Sequence, residues 1–274
     1  MCGIIGYSGH RPTVPQLLEG LHRLEYRGYD SSGVAFEHAS GLYVVKAEGK
    51  LSALEAKLKG LVHTLATSGM GHTRWATHGL PVERNAHPHL SQDKKITIVH
   101  NGIIKNFQEL KNELAAKGHA FLSDTDTEVL AHLIGEERKS SPDLCEAFAR
   151  TLRRARGAYA VVMMAVEEPG VIYAARMAAP LLMDVGVGEC FVASDVPAFL
   201  PYTREVVFLK DGELARIRGA EWEVFSLSEL SPVKKSVSYV PWGMQAAAKG
   251  GYRHFMLEEI MEQPRNIAKN VTVE

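Results

Sequence analysis

Hydrophobic residues in this chain follow helical and strand-like periods that lie in separate blocks of the sequence. Leucines at 17, 18, 21 and 24 have the spacing of one helix face, and residues from 159 onward form short apolar runs between turn residues. The helical pattern predicts helices over residues 17–27, 51–61, 107–117, 125–134 and 142–156. The strand pattern predicts strands over residues 2–7, 33–45 as a hairpin, 95–99, 160–166, 171–175, 181–185, 190–193, 206–209, 214–217 and 223–226.

Turn and capping residues support this assignment. The pair Asp211 and Gly212 is a strong hairpin signal between two of the predicted strands. Thr125 and Glu128 have the spacing of a capping box, and Asn106 is placed to cap the helix that follows it. Since hairpins imply antiparallel sheets and the helices come in blocks of their own, the pattern predicts an α+β fold with helices covering antiparallel sheets.

The domain organisation changes near residue 230. Residues 230–251 are rich in Ser, Lys, Pro, Gly and Ala and show no clear period, which predicts a linker. Residues 2–229 would then form one domain. Residues 252–274 are too few to form a domain alone, so we expect them to begin a further part of the protein.

Composition and charge exclude several classes of protein. The chain has 274 residues, a formal net charge of −1 and 46% hydrophobic residues, which is typical of a globular protein and atypical of a nucleic-acid binder. The longest apolar run has nine residues, whereas a membrane helix needs about twenty. With no secretory signal at the N-terminus, we expect a cytoplasmic protein with no membrane or nucleic-acid partner.

Cysteine usage singles out one residue. The three cysteines are widely spaced, which fits a reducing compartment, and Cys145 and Cys190 have the surroundings of small buried hydrophobes. Cys2 follows the initiator Met1, whose removal would give one residue both a thiol and a free α-amine. These groups titrate near ~8.5 and ~8 when unperturbed, so the amine can accept the thiol proton. The sequence therefore suggests an N-terminal nucleophile.

Other polar residues have the chemistry of an amino-acid site. A thiol that attacks an amide needs an oxyanion hole, which Asn101 and Gly102 could form, although the pair taken alone is more often an ordinary Asn-Gly turn. Arg74 can bind a carboxylate with two hydrogen bonds. Asp126 can pair with an ammonium group or simply complement a helix dipole.

Five histidines between residues 72 and 100 invite comparison with a metal site. Their spacing matches neither a zinc-protease motif nor a zinc finger, so we expect structural hydrogen bonding, no metal and no cofactor.

Several long motifs together resemble one family. They are CGIIGY at the start, LHRLEYRGYDSSG (21–33), GHTRWATHGLP (71–81), NAHPH (85–89), VHNGIIKN (99–106), SDTDTEV (123–129), RGAYA (156–160) and ASD (193–195). The chain resembles the glutaminase domain of the isomerizing glutamine–fructose-6-phosphate aminotransferases, a class II glutamine amidotransferase of the N-terminal-nucleophile hydrolases. The resemblance implies a four-layer αββα sandwich of antiparallel sheets and no cofactor.

The resemblance also implies a role for each matching residue. Cys2 would be the nucleophile, with Asn101 and Gly102 as the oxyanion hole. Arg74 and Asp126 would hold the α-carboxylate and α-ammonium of glutamine. The remaining implied substrate-binding residues are Thr77 and His78 along the site, Trp75 at the ammonia path, and Arg27, which would order the N-terminus.

The implied partners are L-glutamine and a missing C-terminal sugar isomerase domain that binds fructose 6-phosphate. The ammonia released from glutamine would convert that sugar to glucosamine 6-phosphate, and we expect the full-length enzyme to be a homo-oligomer. Residues 176–180 depart from the family, which usually has Gly-Ser before the proline, so the local loop is expected to differ.

Three other functions are compatible with parts of the pattern. A glutamine-sensing module without activity would use the same pocket, and glutamate release would distinguish it. A self-processing hydrolase would need a propeptide before Cys2, where the sequence has Met1. A phosphoribosyl amidotransferase would share the nucleophile but not the HTRWATHG motif.

Overall fold

A computed structural model describes residues 2–61, 65–241, 257, 260–264 and 267. Its contacts divide the chain into two compact units, Met1–Tyr239 and Val240–Glu274. In the second unit, the described residues from 257 onward are helical. The first unit holds every predicted site residue.

The first unit is built from helices and strands with the following bounds. The helices are α1 (Thr13–Leu24), α2 (Leu51–Leu58), α3 (Phe107–Ala116), α4 (Thr127–Ser140) and α5 (Leu144–Arg154). The strands are β1 (Gly3–Ser8), β2 (Ser31–His38), β3 (Gly41–Glu48), β4 (Ser68–Arg74), β5 (His89–Leu90), β6 (Ile96–Ile104), β7 (Gly157–Ala165), β8 (Val171–Met177), β9 (Leu182–Asp184), β10 (Cys190–Ala193), β11 (Glu205–Phe208), β12 (Glu213–Arg218), β13 (Glu221–Ser226) and β14 (Ser238–Tyr239).

The strands form two antiparallel sheets. The eight-stranded sheet has the order β14-β11-β9-β10-β1-β4-β2-β3, and the six-stranded sheet has the order β13-β12-β8-β7-β6-β5. The sheets pack face to face, because one buried cluster contains Ile4 of β1 together with Val162 of β7 and Ile172 of β8. Aligned packing of two sheets in this way forms one core between them.

Helices cover the outer faces of both sheets. A second buried cluster joins Leu130 of α4 and Phe148 of α5 to Met163 of β7. On the other side, α1 packs on β1 and β4. The layers therefore run helix, sheet, sheet, helix, and the predicted α+β αββα sandwich is confirmed.

The sequence of strand β1 is a continuous apolar run because both faces of the strand are covered. Ile4 points into the core between the sheets. A Cβ atom added to Gly20 of α1 would lie 1.9 Å from Ile5 Cδ1, so Ile5 points toward the helix. A strand buried on both faces loses the alternating pattern of a half-exposed one.

Strand β4 was not predicted, although it lies between β1 and β2. Its sequence, SGMGHTR, has two glycines and little hydrophobic character. Added Cβ atoms would lie 2.5 Å from Thr13 at Gly69 and 2.9 Å from Leu21 at Gly71. Helix α1 can approach β4 only because these side chains are absent, so tertiary packing overrides the low strand propensity.

The predicted caps are wrong in detail. Asp126, rather than Thr125, precedes α4. Glu128 does not complete a capping box, because it accepts hydrogen bonds from the backbone N–H groups of Leu122 and Ser123. The Asn106 side chain does not cap α3. It donates to the Arg154 carbonyl and accepts from the Arg156 backbone N–H. Short polar side chains form hydrogen bonds with the nearest backbone groups. Here the tertiary fold brings backbone groups outside the helix N-termini within their reach.

The predicted linker, residues 230–251, begins inside the first unit. Val233 N–H donates to Val224 O at 2.7 Å, and β14 pairs with β11. Residues 242–251 of the predicted linker lie outside the described residues, as do most of residues 252–274. Among the described residues, no helix is long and apolar enough to cross a membrane.

Candidate active site

Cys2 lies immediately before β1, beside the end of β4. The backbone N–H of Trp75, which follows β4, donates to Cys2 Sγ at 3.2 Å. Burial raises the pKa of the Cys2 thiol, and the Trp75 hydrogen bond opposes this rise. The thiol is therefore protonated at neutral pH and requires a base to become a nucleophile.

The main chain of Cys2 is held by two donors. Its carbonyl oxygen accepts from Arg27 Nε at 3.0 Å and from Asn101 Nδ2 at 2.9 Å. Arg27 also forms an ion pair with Asp195 at 3.0 Å, and Tyr26 donates its hydroxyl to the same carboxylate at 2.5 Å. The side chains of Arg27 and Asn101 thus fix the position of the residue that carries the thiol.

A small cavity opens on the Cys2 thiol. Its volume is about 20 Å³, close to that of one water molecule. The residues that line it are Cys2, Arg74, Trp75, Thr77, His78, His87, His100, Gly102, Thr125, Asp126 and Thr127. Seven of the nine predicted site residues lie on this cavity, and the other two, Asn101 and Arg27, contact the Cys2 carbonyl.

The two charged residues of the cavity are held differently. Asp126 is buried, and its Oδ2 atom accepts from the Ile104 backbone N–H at 2.8 Å. Arg74 is also buried, and its guanidinium donates to the carbonyls of His78, Gly79 and Leu80. Arg74 therefore fastens the segment that covers the cavity, whereas Asp126 is fixed mainly by the backbone of β6.

Gly102 lies on β6, opposite Tyr159 of β7. Its φ of +131° is in the region that favours glycine, and an added Cβ atom would lie 2.0 Å from Ala158 O. No other residue fits this position without moving the β6–β7 pair. The glycine therefore allows β6 to pair with β7 at this point of the cavity wall.

Comparison with known proteins agrees with this geometry. A sequence profile of the glutamine amidotransferase domain matches residues 72–201. The glutamine–fructose-6-phosphate aminotransferase (isomerizing) of Thermus thermophilus is 53% identical over 264 residues, which is 96% of this chain and 43% of that protein. The enzyme of the same name from Pyrococcus horikoshii is 50% identical over 97% of this chain. The chain contains a domain of the glutamine amidotransferase family.

The chain spans less than half the length of these relatives, 43% and 44%. Among solved structures, glutamine phosphoribosylpyrophosphate amidotransferase from B. subtilis superposes with a TM-score of 0.70. It is 27% identical, and the match covers 83% of this chain and 50% of that one. The match is an independent indication that this amidotransferase domain has the predicted sandwich fold.

Histidines link the parts of the amidotransferase site. His72, His87, His89 and His100 are buried, and burial lowers the pKa of each of them, that of His72 to about 3. They are therefore neutral and serve as hydrogen-bonding groups. Sequence reasoning predicted this structural role but gave it no partners.

The partners of these histidines lie on both sides of the cavity. His87 Nε2 lies 3.4 Å and His100 Nδ1 2.9 Å from the Thr127 hydroxyl. His89 Nε2 lies 3.1 Å from the Thr125 hydroxyl. The cluster thus ties the end of β6 to the start of α4. Within the described part of the chain, no group of three or more His, Cys, Asp or Glu side chains is arranged to hold a metal ion.

Sequence reasoning missed two residues near the nucleophile. Asp195 is the carboxylate that holds Arg27, and Asp30 accepts from the backbone N–H of Ala76 beside the cavity. Both lie within matched motifs, ASD (193–195) and LHRLEYRGYDSSG (21–33), but no spacing rule marks them. Only the fold brings them to Cys2.

Proposed function

We propose that this chain hydrolyses L-glutamine to glutamate and ammonia. The observation that carries the proposal is the shared cavity of Cys2, Arg74 and Asp126, which combines a nucleophile with groups for both charges of an amino acid.

The Cys2 thiol attacks the side-chain amide carbon of glutamine. Once Met1 is removed, the α-amine of Cys2 accepts the thiol proton and gives it to the departing ammonia. The product of this step is a γ-glutamyl thioester, which water then hydrolyses to glutamate and the free thiol. Since burial raises the pKa of the thiol, this transfer to the amine is essential near neutral pH.

The oxyanion of the tetrahedral intermediate is stabilised by Asn101 and Gly102. The Asn101 amide nitrogen carries two hydrogens, of which one is donated to the Cys2 carbonyl. The second is available for the oxyanion, and the exposed Gly102 lines the same cavity, where its backbone N–H can donate as well. Thr77 and His78 line the same cavity and contact the substrate chain.

The relatives suggest the fate of the ammonia in a longer protein. Both are named for the conversion of fructose 6-phosphate, and this chain matches under half of each. We assign the remainder to a sugar isomerase domain that uses the ammonia to form glucosamine 6-phosphate in a cytoplasmic homo-oligomer. Trp75 would gate the path, because its ring is half-exposed at the cavity and packs edge-on against Tyr29.

The test is to incubate the 274-residue chain with glutamine and fructose 6-phosphate and to measure glutamate, ammonia and amino sugar separately. We expect glutamate and ammonia in equal amounts, no amino sugar and no acceleration by the sugar phosphate. Activity should require a chain that starts at Cys2, which mass spectrometry verifies, and should vanish in Cys2→Ala. Full turnover by chains that retain Met1, or amino sugar formed in step with glutamate, would refute this proposal.

Two alternatives make different predictions. A glutamine sensor would bind glutamine and release no glutamate. A phosphoribosyl amidotransferase is favoured by the structural match at 27% identity, but the sugar-enzyme relatives are 53% identical. The higher identity supports the aminotransferase assignment.

A further inference from the structure

The orientation of the Asn101 amide decides whether it can serve an oxyanion. In the structure, Nδ2 faces Cys2 and Oδ1 faces His72 Nε2 at 3.0 Å. A flipped amide would present Oδ1 to the Cys2 carbonyl and to the oxyanion. Both contacts would be repulsive, so one amide orientation is productive and the other is not.

The hydrogen on His72 determines which orientation is favoured. His72 Nε2 also lies 3.1 Å from the carbonyl oxygen of His100, which can only accept a hydrogen bond. Nε2 must therefore carry the imidazole hydrogen, because a lone pair there would face the lone pairs of that carbonyl. The atom of Asn101 that faces Nε2 must then be its oxygen.

The ring of His72 is itself fixed by packing. It is fully buried on β4, and it stacks on His87 with ring centroids 4.1 Å apart and an interplanar angle of 17°. His87 is held in turn, because its Nδ1 accepts from the His100 backbone N–H at 3.2 Å. The stacking keeps the imidazole in the plane in which Nε2 reaches Asn101 Oδ1.

We propose that His72 is a positioning residue that sets the Asn101 amide for oxyanion stabilisation. This inference rests on the proposed glutaminase function and adds to it a residue that does not touch the substrate. Because the hydrogen bond acts through an oxyanion donor, its loss should reduce kcat and leave glutamine binding nearly unchanged.

The experiment compares three variants of His72 in the full 274-residue chain. His72→Leu keeps the volume and removes the donor, and His72→Gln places an amide N–H near the position of Nε2. Removal of an oxyanion donor typically lowers kcat about 10²–10³-fold. We expect His72→Leu to lower kcat roughly 10- to 100-fold with KM within about twofold, and His72→Gln to recover most of the loss. His72→Asn, whose amide is too short to reach Asn101, should behave as His72→Leu and replaces it if the leucine variant does not fold.

A double-mutant cycle with Asn101→Ala separates positioning from general structural damage. If His72 acts through Asn101, the Leu substitution should lower kcat by less than about twofold when Asn101 is already absent. Alkylation of Cys2 by iodoacetamide should proceed at the wild-type rate in each variant, which shows that the thiol is still in place. Additive effects of the two substitutions would overturn the proposal, as would equal losses in His72→Gln and His72→Asn.

A matched control is His132→Leu. His132 is as deeply buried, and its Nδ1 lies 2.9 Å from His119 Nδ1, away from the cavity lining. We expect this variant to lose stability and keep kcat within about twofold. A wild-type chain without glutaminase activity would refute the proposed function, whereas an active wild type with an equally active His72→Leu would refute only the positioning role.

Discussion

At the residue scale, Arg74 and Asp126 place opposite charges in the same cavity but make different hydrogen bonds to the protein. Arg74 donates to three carbonyls of the covering segment, and Asp126 accepts from a backbone N–H of β6. A substitution at either position therefore removes a proposed substrate contact, but only the arginine also holds a loop.

We expect Asp126→Asn to lower kcat/KM for glutamine about 10- to 100-fold with little change in melting temperature. The amide oxygen can still accept from Ile104, while the charge-assisted bond to the substrate ammonium, typically about 1.5–3 kcal/mol, is lost. Arg74→Ala should lower kcat/KM at least as much and also speed proteolysis within residues 75–82. Steady-state kinetics check the first effect, and limited digestion with proteinase K, which has broad specificity, checks the second, because residues 75–82 contain no Lys or Arg for trypsin. Normal kinetics in both variants would disprove the site assignment.

Ala178 has a backbone conformation that is unfavourable for a residue with a side chain. It belongs to the segment 176–180, which departs from the family pattern, and it has a φ of +55°. A left-handed conformation costs an L-residue roughly 1–2 kcal/mol relative to glycine. The expected local difference is thus a strained alanine, held by its N–H bond to Asp211 at 2.9 Å.

We expect Ala178→Gly to raise the free energy of unfolding by about 0.5–1 kcal/mol, since relief of strain exceeds the added entropy of the unfolded chain. Ala179→Gly is the matched control, because Ala179 is buried and has no positive φ, and it should be destabilising. Urea unfolding followed by circular dichroism measures both. A destabilised Ala178→Gly variant would contradict the strain argument.

At the element scale, the pairing of β6 with β7 builds one wall of the site. The register places Gly102 opposite Tyr159 and Asn101 opposite Ala160. The close approach at Gly102 is therefore a property of the strand pair, and a side chain there must push β7 away.

We expect Gly102→Ala to abolish measurable glutaminase activity and to cost several kcal/mol of stability, because its Cβ would meet Ala158 O at 2.0 Å. Gly118→Ala tests the backbone effect alone. Gly118 has a φ of +87° and nothing within 4 Å of the added atom, so Gly118→Ala should lower the free energy of unfolding by only about 1 kcal/mol. Thermal melts and glutamate release compare the pair. Equal losses in both variants would show that the close contact is unimportant.

At the scale of the whole molecule, buried histidines make stability depend on pH. Burial lowers the pKa of His72 to about 3, and it lowers the pKa of His87, His89 and His100 below that of a free histidine. The unfolded chain therefore binds more protons than the folded chain below its own histidine pKa of about 6.5. This contribution to stability is complete above that pH and is lost as the pH falls toward the lower folded values.

We expect the urea midpoint to be nearly constant from pH 7 to 8 and to fall steeply below about pH 6. Each such histidine lowers the free energy of unfolding by about 1.4 kcal/mol for each pH unit below the pKa of the unfolded residue. The total free energy of unfolding of a domain is about 5–15 kcal/mol, so unfolding should occur between about pH 4 and 5.5. Urea titrations at half-unit intervals measure the slope. A midpoint unchanged down to pH 5 would show that the buried histidines do not control acid stability.

The sequence by itself determined the nature of the elements and the chemistry of the nucleophile. Apolar runs and leucine spacing located β1, α1 and the hairpins of the second half, because burial of one or both faces leaves a periodic trace. The long motifs identified Cys2, Arg74, Asn101 and Asp126 as candidate site residues. Their grouping was an inference from resemblance, since residues so far apart along the chain have no local reason to meet.

Only the tertiary structure decided how these residues are held. Strand β4 forms between two others despite its glycines, because helix α1 needs the space they leave. Arg27 and Asn101 are held by Asp195 and His72, which lie far from them along the sequence. Local propensity acts over a few residues, whereas a buried hydrogen bond is satisfied by whatever group the fold brings within reach. Most elements could therefore be predicted from the sequence, whereas strand β4 and the contacts that orient the site could not.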